Sequence, residues 1–93
     1  MTRTRQVEVI NRKGLHARAS AKLAKLAAHL PTPVQVAFEG ETADARSIMD
    51  LLCLGAGLGA TVTLTADGEA ADDALAQIAD SFDDGFGELS EDT

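Results

Sequence analysis

Asn11-Arg12-Lys13-Gly14-Leu15-His16-Ala17-Arg18-Ala19-Ser20 carries the chain from a strand, through a glycine turn, into a helix that begins at His16. Before this stretch, Val7 and Val9 alternate with polar neighbours, which predicts a strand with both valines facing inward. After it, apolar residues recur at helical spacing as far as Leu30, where prolines halt the helix. The stretch is therefore predicted to be a β-to-α connection with a histidine at the helix start.

Three further strands are predicted outward from this connection. Residues 34–38 alternate apolar and polar side chains, and the short sequence at 39–41 suits a hairpin turn into a third strand at 42–45. Residues 61–65 form the clearest strand, with threonines on one side and apolar residues on the other. Strands that alternate in this way favour an antiparallel sheet with one face covered and one face open to water.

Two further helices are predicted in the second half of the chain. Ser47 stands three residues before Asp50, the pattern of a capping box, and Gly55 would end the short helix that follows. A final helix carries an apolar stripe of Ala71, Ala74, Leu75, Ile78, Ala79 and Phe82. The order β-α-β-β-α-β-α predicts an α+β open-faced β-sandwich, with a four-stranded antiparallel sheet and three helices on one face. We expect a single domain over residues 1–93, in which 88–93 form a frayed tail.

Composition excludes several classes of function. The formal charge of −7 disfavours binding to nucleic acid or to an anionic membrane surface. The single Cys53, predicted to be a small core residue, cannot form an internal disulfide, and with two histidines it does not make a metal set, so neither a metal nor a cofactor is expected. No apolar run is long enough to insert into a membrane and no secretory signal is present, which predicts a cytoplasmic protein. We also expect it to be a monomer.

Charge is distributed unevenly along the chain. Seven of the eight basic residues precede Ala27, whereas Glu8 is the only acidic residue before Glu39. Positive charge gathered around His16 could steer this histidine toward an acidic partner surface. The alternative is a solvated basic face without an assigned role, and charge alone does not decide between the two.

His16 is a candidate phosphate carrier. The first N–H groups of a helix have no internal partners and, with the helix dipole, favour an anion. The same positive end disfavours the imidazolium form, which leaves a neutral ring whose free nitrogen can attack phosphorus. The backbone of Ala17 and Arg18 and the Arg18 guanidinium could then bind the phosphate. An ordinary, partly exposed residue at a helix start would give the same spacing.

Two separated motifs resemble the HPr family, the histidine-containing phosphocarriers of the bacterial phosphoenolpyruvate phosphotransferase system. The first is Gly14-Leu15-His16-Ala17-Arg18 with Ala19-Ser20, and the second is Ala45-Arg46-Ser47-Ile48-Met49, followed by Leu54-Gly55 and Gly59 before a threonine-rich strand. The resemblance spans about residues 5–87. It implies that Nδ1 of His16 accepts a phosphoryl group from enzyme I and passes it to an A-type component, with Arg18 as the charge partner. It also implies the HPr-type open-faced β-sandwich.

The chain departs from this family at Ala19, where many members have proline. Alanine is a strong helix former and leaves the transfer site intact. Residues 81–88 look more like the nitrogen-related regulatory branch than the sugar-transport branch, and the sequence does not decide between these branches.

Ser47 and the residues after it suggest regulation and docking. Ser47 is expected to cap its helix, and the equivalent serine in the resembling family can be phosphorylated by HPr kinase/phosphorylase. Ile48, Met49 and Leu52 resemble the family's contact residues, although an apolar segment of this kind could equally be core.

Two other classes of function compete with a phosphocarrier. One is a regulatory binding module of the same fold, controlled at Ser47, which docks without carrying phosphate. The other is a small independent hydrolase, which is disfavoured because no base, orienting carboxylate or pocket is evident in the sequence.

Overall fold

The computed structural model describes residues 1–89. Its elements follow the predicted order, with one short 3₁₀ turn added after the last helix. They are β1 (Thr2–Glu8), α1 (Ala17–Ala28), β2 (Gln35–Phe38), β3 (Glu41–Asp44), α2 (Ile48–Leu54), β4 (Thr61–Asp67), α3 (Ala71–Asp83) and the 3₁₀ turn Gly85–Gly87.

The sheet has the strand order β1-β4-β2-β3, and every neighbouring pair is antiparallel. Val7 pairs with Val62, and Val36 lies between Leu64 on one side and Ala43 on the other. All five side chains are buried, so they form the face of the sheet that the helices cover. This confirms the predicted α+β open-faced sandwich.

Strand and helix limits differ from the predictions by a few residues. β1 begins at Thr2, four residues before the apolar alternation, because its polar N-terminal half pairs with β4 as far as Asp67. As an edge strand it needs no buried side chains to form a hydrogen-bonded ladder, so the hydropathy pattern underestimates its length. α1 ends at Ala28, with His29 as its C-terminal cap, shortly before Pro31.

The core is mostly aliphatic, with Phe82 and Phe86 as its buried aromatic residues. The predicted apolar stripe of α3 is buried throughout, and Phe82 on this stripe is fully buried. α1 contributes Leu23, and α2 contributes Leu51, both also fully buried. Burying such side chains contributes roughly 1.5–3 kcal/mol each, which makes this layer the main source of the fold's stability.

The segment after α3 corrects one expectation. Glu88, predicted to begin a frayed tail, is only 1% exposed. Gly85, Phe86 and Gly87 all have positive φ angles, of 60°, 55° and 75°, so the chain makes a left-handed turn that sends Glu88 back into the protein. Residues 90–93 of the expected tail lie outside the described residues.

Candidate functional site

The glycine turn before His16 is fixed by close packing against the loop that follows α2. Gly14 has φ +65°, and a Cβ on it would lie 2.6 Å from the Ala56 carbonyl oxygen and 2.7 Å from Gly57 Cα. The next residue, Leu15, donates its N–H to that same carbonyl at 3.0 Å. Only glycine fits here, both because of the left-handed backbone and because of the missing space.

His16 is the N-cap of α1. Its backbone is extended, with φ −78° and ψ −177°, and its Nδ1 accepts a hydrogen bond from the backbone N–H of Arg18 at 3.3 Å. Ser20 supports the same turn, because its hydroxyl donates to the Leu15 carbonyl at 3.1 Å. The His16 side chain is 26% exposed, so a partner can reach it while its orientation stays fixed.

The other ring nitrogen of His16 meets a buried carboxylate. Nε2 lies 2.7 Å from Oε2 of Glu88, and the Arg18 Nε donates to the same oxygen at 3.2 Å. Oε1 of Glu88 accepts from the Asn11 amide at 2.9 Å, and that amide also donates to the Gly14 carbonyl at 2.8 Å. One carboxylate therefore joins the two ends of the predicted strand-turn-helix stretch.

Glu88 is ionised at neutral pH. Burial, the largest single influence, opposes ionisation, but the hydrogen bonds from Asn11, His16 and Arg18 together outweigh it and lower the pKa of the carboxyl below its ordinary value. An ionised carboxylate only accepts hydrogen bonds. The hydrogen-bond network therefore assigns the proton of a neutral His16 ring to Nε2 and leaves the lone pair on Nδ1.

Glu88 and Asn11 are the site residues that sequence reasoning missed. Glu88 lies 72 residues from His16, and no local pattern joins the two. The sequence does contain one signal, since Gly85 and Gly87 flank Phe86 directly before Glu88, and closely spaced glycines permit a left-handed turn. Glu88 also supplies the orienting carboxylate whose absence was one of the arguments against a hydrolase, so that argument is corrected.

Ser47 caps α2 as predicted, but only half of the capping box forms. Its hydroxyl accepts the Asp50 N–H at 3.2 Å, whereas its own N–H donates to the Asp44 carbonyl at 2.9 Å. Arg46 makes two side-chain bonds to the Asp44 carboxylate, at 3.1 and 3.0 Å. The side-chain bond from Arg46, followed by its backbone N–H, lowers the pKa of Asp44. This cluster is exposed and built from residues close together in sequence.

The apolar segment after Ser47 divides between core and surface. Leu51 and Leu54 are buried, whereas the three residues predicted to dock partners face solvent: Ile48 is 41% exposed, Met49 68% and Leu52 37%. Cys53, predicted to be a small core residue, is exposed instead. The division leaves an apolar surface on a helix that packs against α1.

Within residues 1–89, no group of three or more histidine, cysteine or acidic side chains is placed to hold a metal ion. None of the helices in that part of the chain has the length and apolar character needed to cross a membrane.

Comparison with known proteins identifies the family. The family model of the PTS HPr component phosphorylation site matches residues 3–84. The phosphocarrier protein HPr of Cupriavidus necator is 48% identical over 85 residues, which cover 87% of this chain and 96% of that protein. The phosphocarrier protein NPr of Shewanella violacea is 42% identical, with 92% and 94% covered. The crystal structure of HPr-C-His from Thermoanaerobacter tengcongensis superposes with a TM-score of 0.86 at 30% identity, over 92% of this chain and 97% of that one. The chain belongs to the HPr family and is a phosphocarrier of the phosphotransferase system.

Proposed function

We propose that Nδ1 of His16 accepts a phosphoryl group from phosphorylated enzyme I and passes it to an A-type component of a sugar or nitrogen-related phosphotransferase system. The observation that carries this proposal is the orientation of the ring. Nδ1 faces the N-terminus of α1 at 3.3 Å from the Arg18 N–H, while Nε2 is held by Glu88. The nitrogen with the lone pair is thus the one beside the anion-binding end of the helix.

The transfer itself needs no cofactor. The lone pair of Nδ1 forms the new N–P bond as the donor's bond to phosphorus breaks, and the bonding electrons leave with the donor. The backbone N–H groups of Ala17 and Arg18 and the half-exposed Arg18 guanidinium then bind the phosphoryl oxygens. The reverse sequence of bonds passes the group to the acceptor. The protein is a carrier that is phosphorylated and dephosphorylated by its partners more than a turnover enzyme.

Partner recognition is proposed to combine charge and apolar contact. The basic residues of the first 26 positions would attract acidic surfaces on enzyme I and on the acceptors. Ile48, Met49 and Leu52 would supply the apolar part of the docking surface. We further propose that the protein acts as a cytoplasmic monomer of one domain, because the donor and the acceptors must reach the same histidine in turn.

Ser47 is proposed as a regulatory phosphorylation site for an HPr kinase/phosphorylase. Its hydroxyl lies at the start of α2, next to the apolar side chains of Ile48 and Met49. A phosphate there adds about two negative charges beside Asp50 and Asp44, which would weaken docking of an acidic partner. Both HPr and NPr relatives match the chain, so the acceptor, and with it the sugar or nitrogen-related branch, is to be identified by assay.

The direct test is phosphorylation by enzyme I and phosphoenolpyruvate. We expect an acid-labile phosphohistidine in the natural protein, its loss in His16→Ala, and its retention in His29→Ala, which removes the chain's other histidine from an exposed position. Label that persists in His16→Ala would refute the assignment of this residue. A natural protein that binds enzyme I but never becomes labelled would instead support a non-carrier regulatory module controlled at Ser47.

A further inference from the structure

We propose that Glu88 is a positioning residue for phosphoryl transfer: it holds a proton on Nε2 of His16 while Nδ1 gains and then loses the phosphoryl group. The proposal rests on the function proposed for His16. It goes beyond the family comparison, because the family model ends at Asp84, four residues before Glu88.

Three donors converge on the carboxylate of Glu88. The side-chain nitrogens of Asn11 and Arg18 carry only N–H groups toward it, at 2.9 and 3.2 Å, and neither can accept a hydrogen bond there. The third partner, Nε2 of His16 at 2.7 Å, must also donate, because an ionised carboxylate has no proton to give. The short distance and the 1% exposure of Glu88 make this contact the best-shielded bond of the ring.

The chain holds Glu88 in place by a strained and well-anchored turn. Phe86 has φ +55°, a left-handed conformation that non-glycine residues rarely adopt. Its ring packs edge-to-face on Phe82 with centroids 4.9 Å apart, and its carbonyl accepts a bond from the Lys22 ammonium at 2.8 Å. These contacts stabilise the left-handed backbone of Phe86 and place the carboxylate of Glu88 next to Nε2 of His16.

The position of the proton decides the chemistry of both transfer steps. When Nδ1 forms the N–P bond with Nε2 still protonated, the ring becomes a positively charged phosphoimidazolium, and the carboxylate of Glu88 lies against that charge. When the phosphoryl group leaves, the electrons of the N–P bond return to Nδ1, and the ring departs as neutral imidazole. If Nε2 had lost its proton, the leaving group would be the imidazolate anion, which is far more basic and leaves much more slowly. Glu88 therefore favours onward transfer by keeping the better leaving group.

The first test uses the unphosphorylated natural protein and needs no variant. Long-range ¹H–¹⁵N spectra at neutral pH should show Nε2 of His16 as the protonated nitrogen and Nδ1 as the one with the lone pair. Predominance of the Nδ1–H tautomer would overturn the proposal. Because this measurement involves no phosphate, its outcome is independent of whether His16→Ala abolishes labelling.

The second test replaces Glu88 by glutamine, with Asp83→Asn as the matched control that removes an exposed carboxylate from the end of α3. Because the Arg18 N–H also favours the lone pair on Nδ1 and the glutamine oxygen can still accept from Nε2, we expect Glu88→Gln to weaken the tautomer preference without reversing it. We expect phosphate transfer to slow by roughly 10- to 100-fold, the range found when the carboxylate partner of a metal-bound histidine is removed. Asp83→Asn should behave as the natural protein. Unchanged tautomer and rate in Glu88→Gln would contradict the proposal.

The third test separates proton holding from simple support of the fold. Phosphohistidine is acid-labile because the protonated ring leaves more readily, so purified phosphorylated Glu88→Gln should hydrolyse more slowly at neutral pH than the phosphorylated natural protein. A residue that only shields or supports the ring would, on removal, leave hydrolysis unchanged or speed it up, and either result would overturn the proposal. Glu88→Asp keeps the charge but shortens the side chain, and we expect partial recovery of the transfer rate.

Discussion

His16 and Ser47 are both helix N-caps, yet they are built in different ways. Nδ1 of His16 accepts the Arg18 N–H at 3.3 Å, and the Ser47 hydroxyl accepts the Asp50 N–H at 3.2 Å. The other ring nitrogen of His16, Nε2, bonds to Glu88, which is 72 positions away and buried. The groups around Ser47 are its sequence neighbours and are exposed.

The comparison indicates what each cap can do. A reactive ring needs one nitrogen held in a defined protonation state, which requires a buried partner that only tertiary structure can bring. A serine that is to be modified needs the opposite, a hydroxyl that a modifying enzyme can approach, and Ser47 is partly exposed at the start of a short helix. We expect the His16 region to respond strongly to substitution of its neighbours and the Ser47 region to respond weakly.

The largest difference in stability between the two regions should appear when their glycines are replaced by alanine. Gly14 and Gly55 have nearly the same φ, +65° and +67°, but a Cβ would collide with Ala56 and Gly57 at Gly14 and would meet nothing within 4 Å at Gly55. We expect Gly14→Ala to lower the free energy of unfolding by about 3–4 kcal/mol, from backbone strain plus overpacking. Gly55→Ala should cost only the strain, about 1 kcal/mol. Urea titration of both variants gives the comparison, and equal losses would show that the close approach at Gly14 relaxes freely.

The next largest effect should be the pH dependence of stability that Glu88 and Asp44 confer. The lowered pKa of Glu88 contributes stability that is present above its ordinary value of 4.5 and is lost as pH falls through the lower value of the folded state. Glu88→Gln should therefore destabilise the protein by about 2 kcal/mol at pH 7 and by progressively less below pH 4.5.

Asp44→Asn is the matched variant in the exposed region, where the Arg46 partner is half exposed and the pair is screened by solvent. We expect a loss below about 1 kcal/mol at pH 7, with the same direction of pH dependence. Unfolding measured from pH 3 to pH 8 would contradict the comparison if Asp44→Asn proved the more sensitive of the two.

Features built from sequence neighbours could be predicted from the sequence, whereas those built from residues far apart could not. Four features follow from spacing within one element or turn, and the structure confirms them: the order of elements, the α3 stripe, the Ser47 cap and the start of α1 at His16. Glu88 could not be predicted in this way, because its role depends on a left-handed turn at Phe86 and on packing between residues far apart in sequence. The prediction that Cys53 is a core residue was wrong for a related reason, since an apolar segment does not indicate which of its faces meets the sheet.

A smaller effect is expected from removing the Ser47 cap. Ser47→Ala deletes the acceptor for the Asp50 N–H and should cost about 1 kcal/mol, while Ser47→Gly should cost only a few tenths. Because the Ser47 hydroxyl bonds to Asp50 whereas the His16 ring bonds to Arg18 and Glu88, phosphorylation of His16 by enzyme I should proceed at the natural rate in both variants. Thermal unfolding and the phosphorylation assay, run on the same samples, check the two halves of this prediction. A large loss of phosphorylation in Ser47→Ala would mean that the two caps are coupled.

The smallest effect on stability should be at Met49, which is 68% exposed. Met49→Ser should change the free energy of unfolding by less than about 0.5 kcal/mol, because few contacts are lost.

If the surface formed with Ile48 and Leu52 docks partners, the same variant should weaken binding to enzyme I several-fold, as measured by isothermal titration calorimetry. Leu58→Ser, at an apolar position of similar exposure, 61%, in the loop after α2 and not on that helix, is the control and should bind normally. Equal weakening by both variants would show that docking uses general apolar surface, and unchanged binding by Met49→Ser would remove Met49 from the docking surface. In either case the tautomer of His16 should stay as in the natural protein, because that ring is fixed from the buried side by Glu88 and not from the surface of α2.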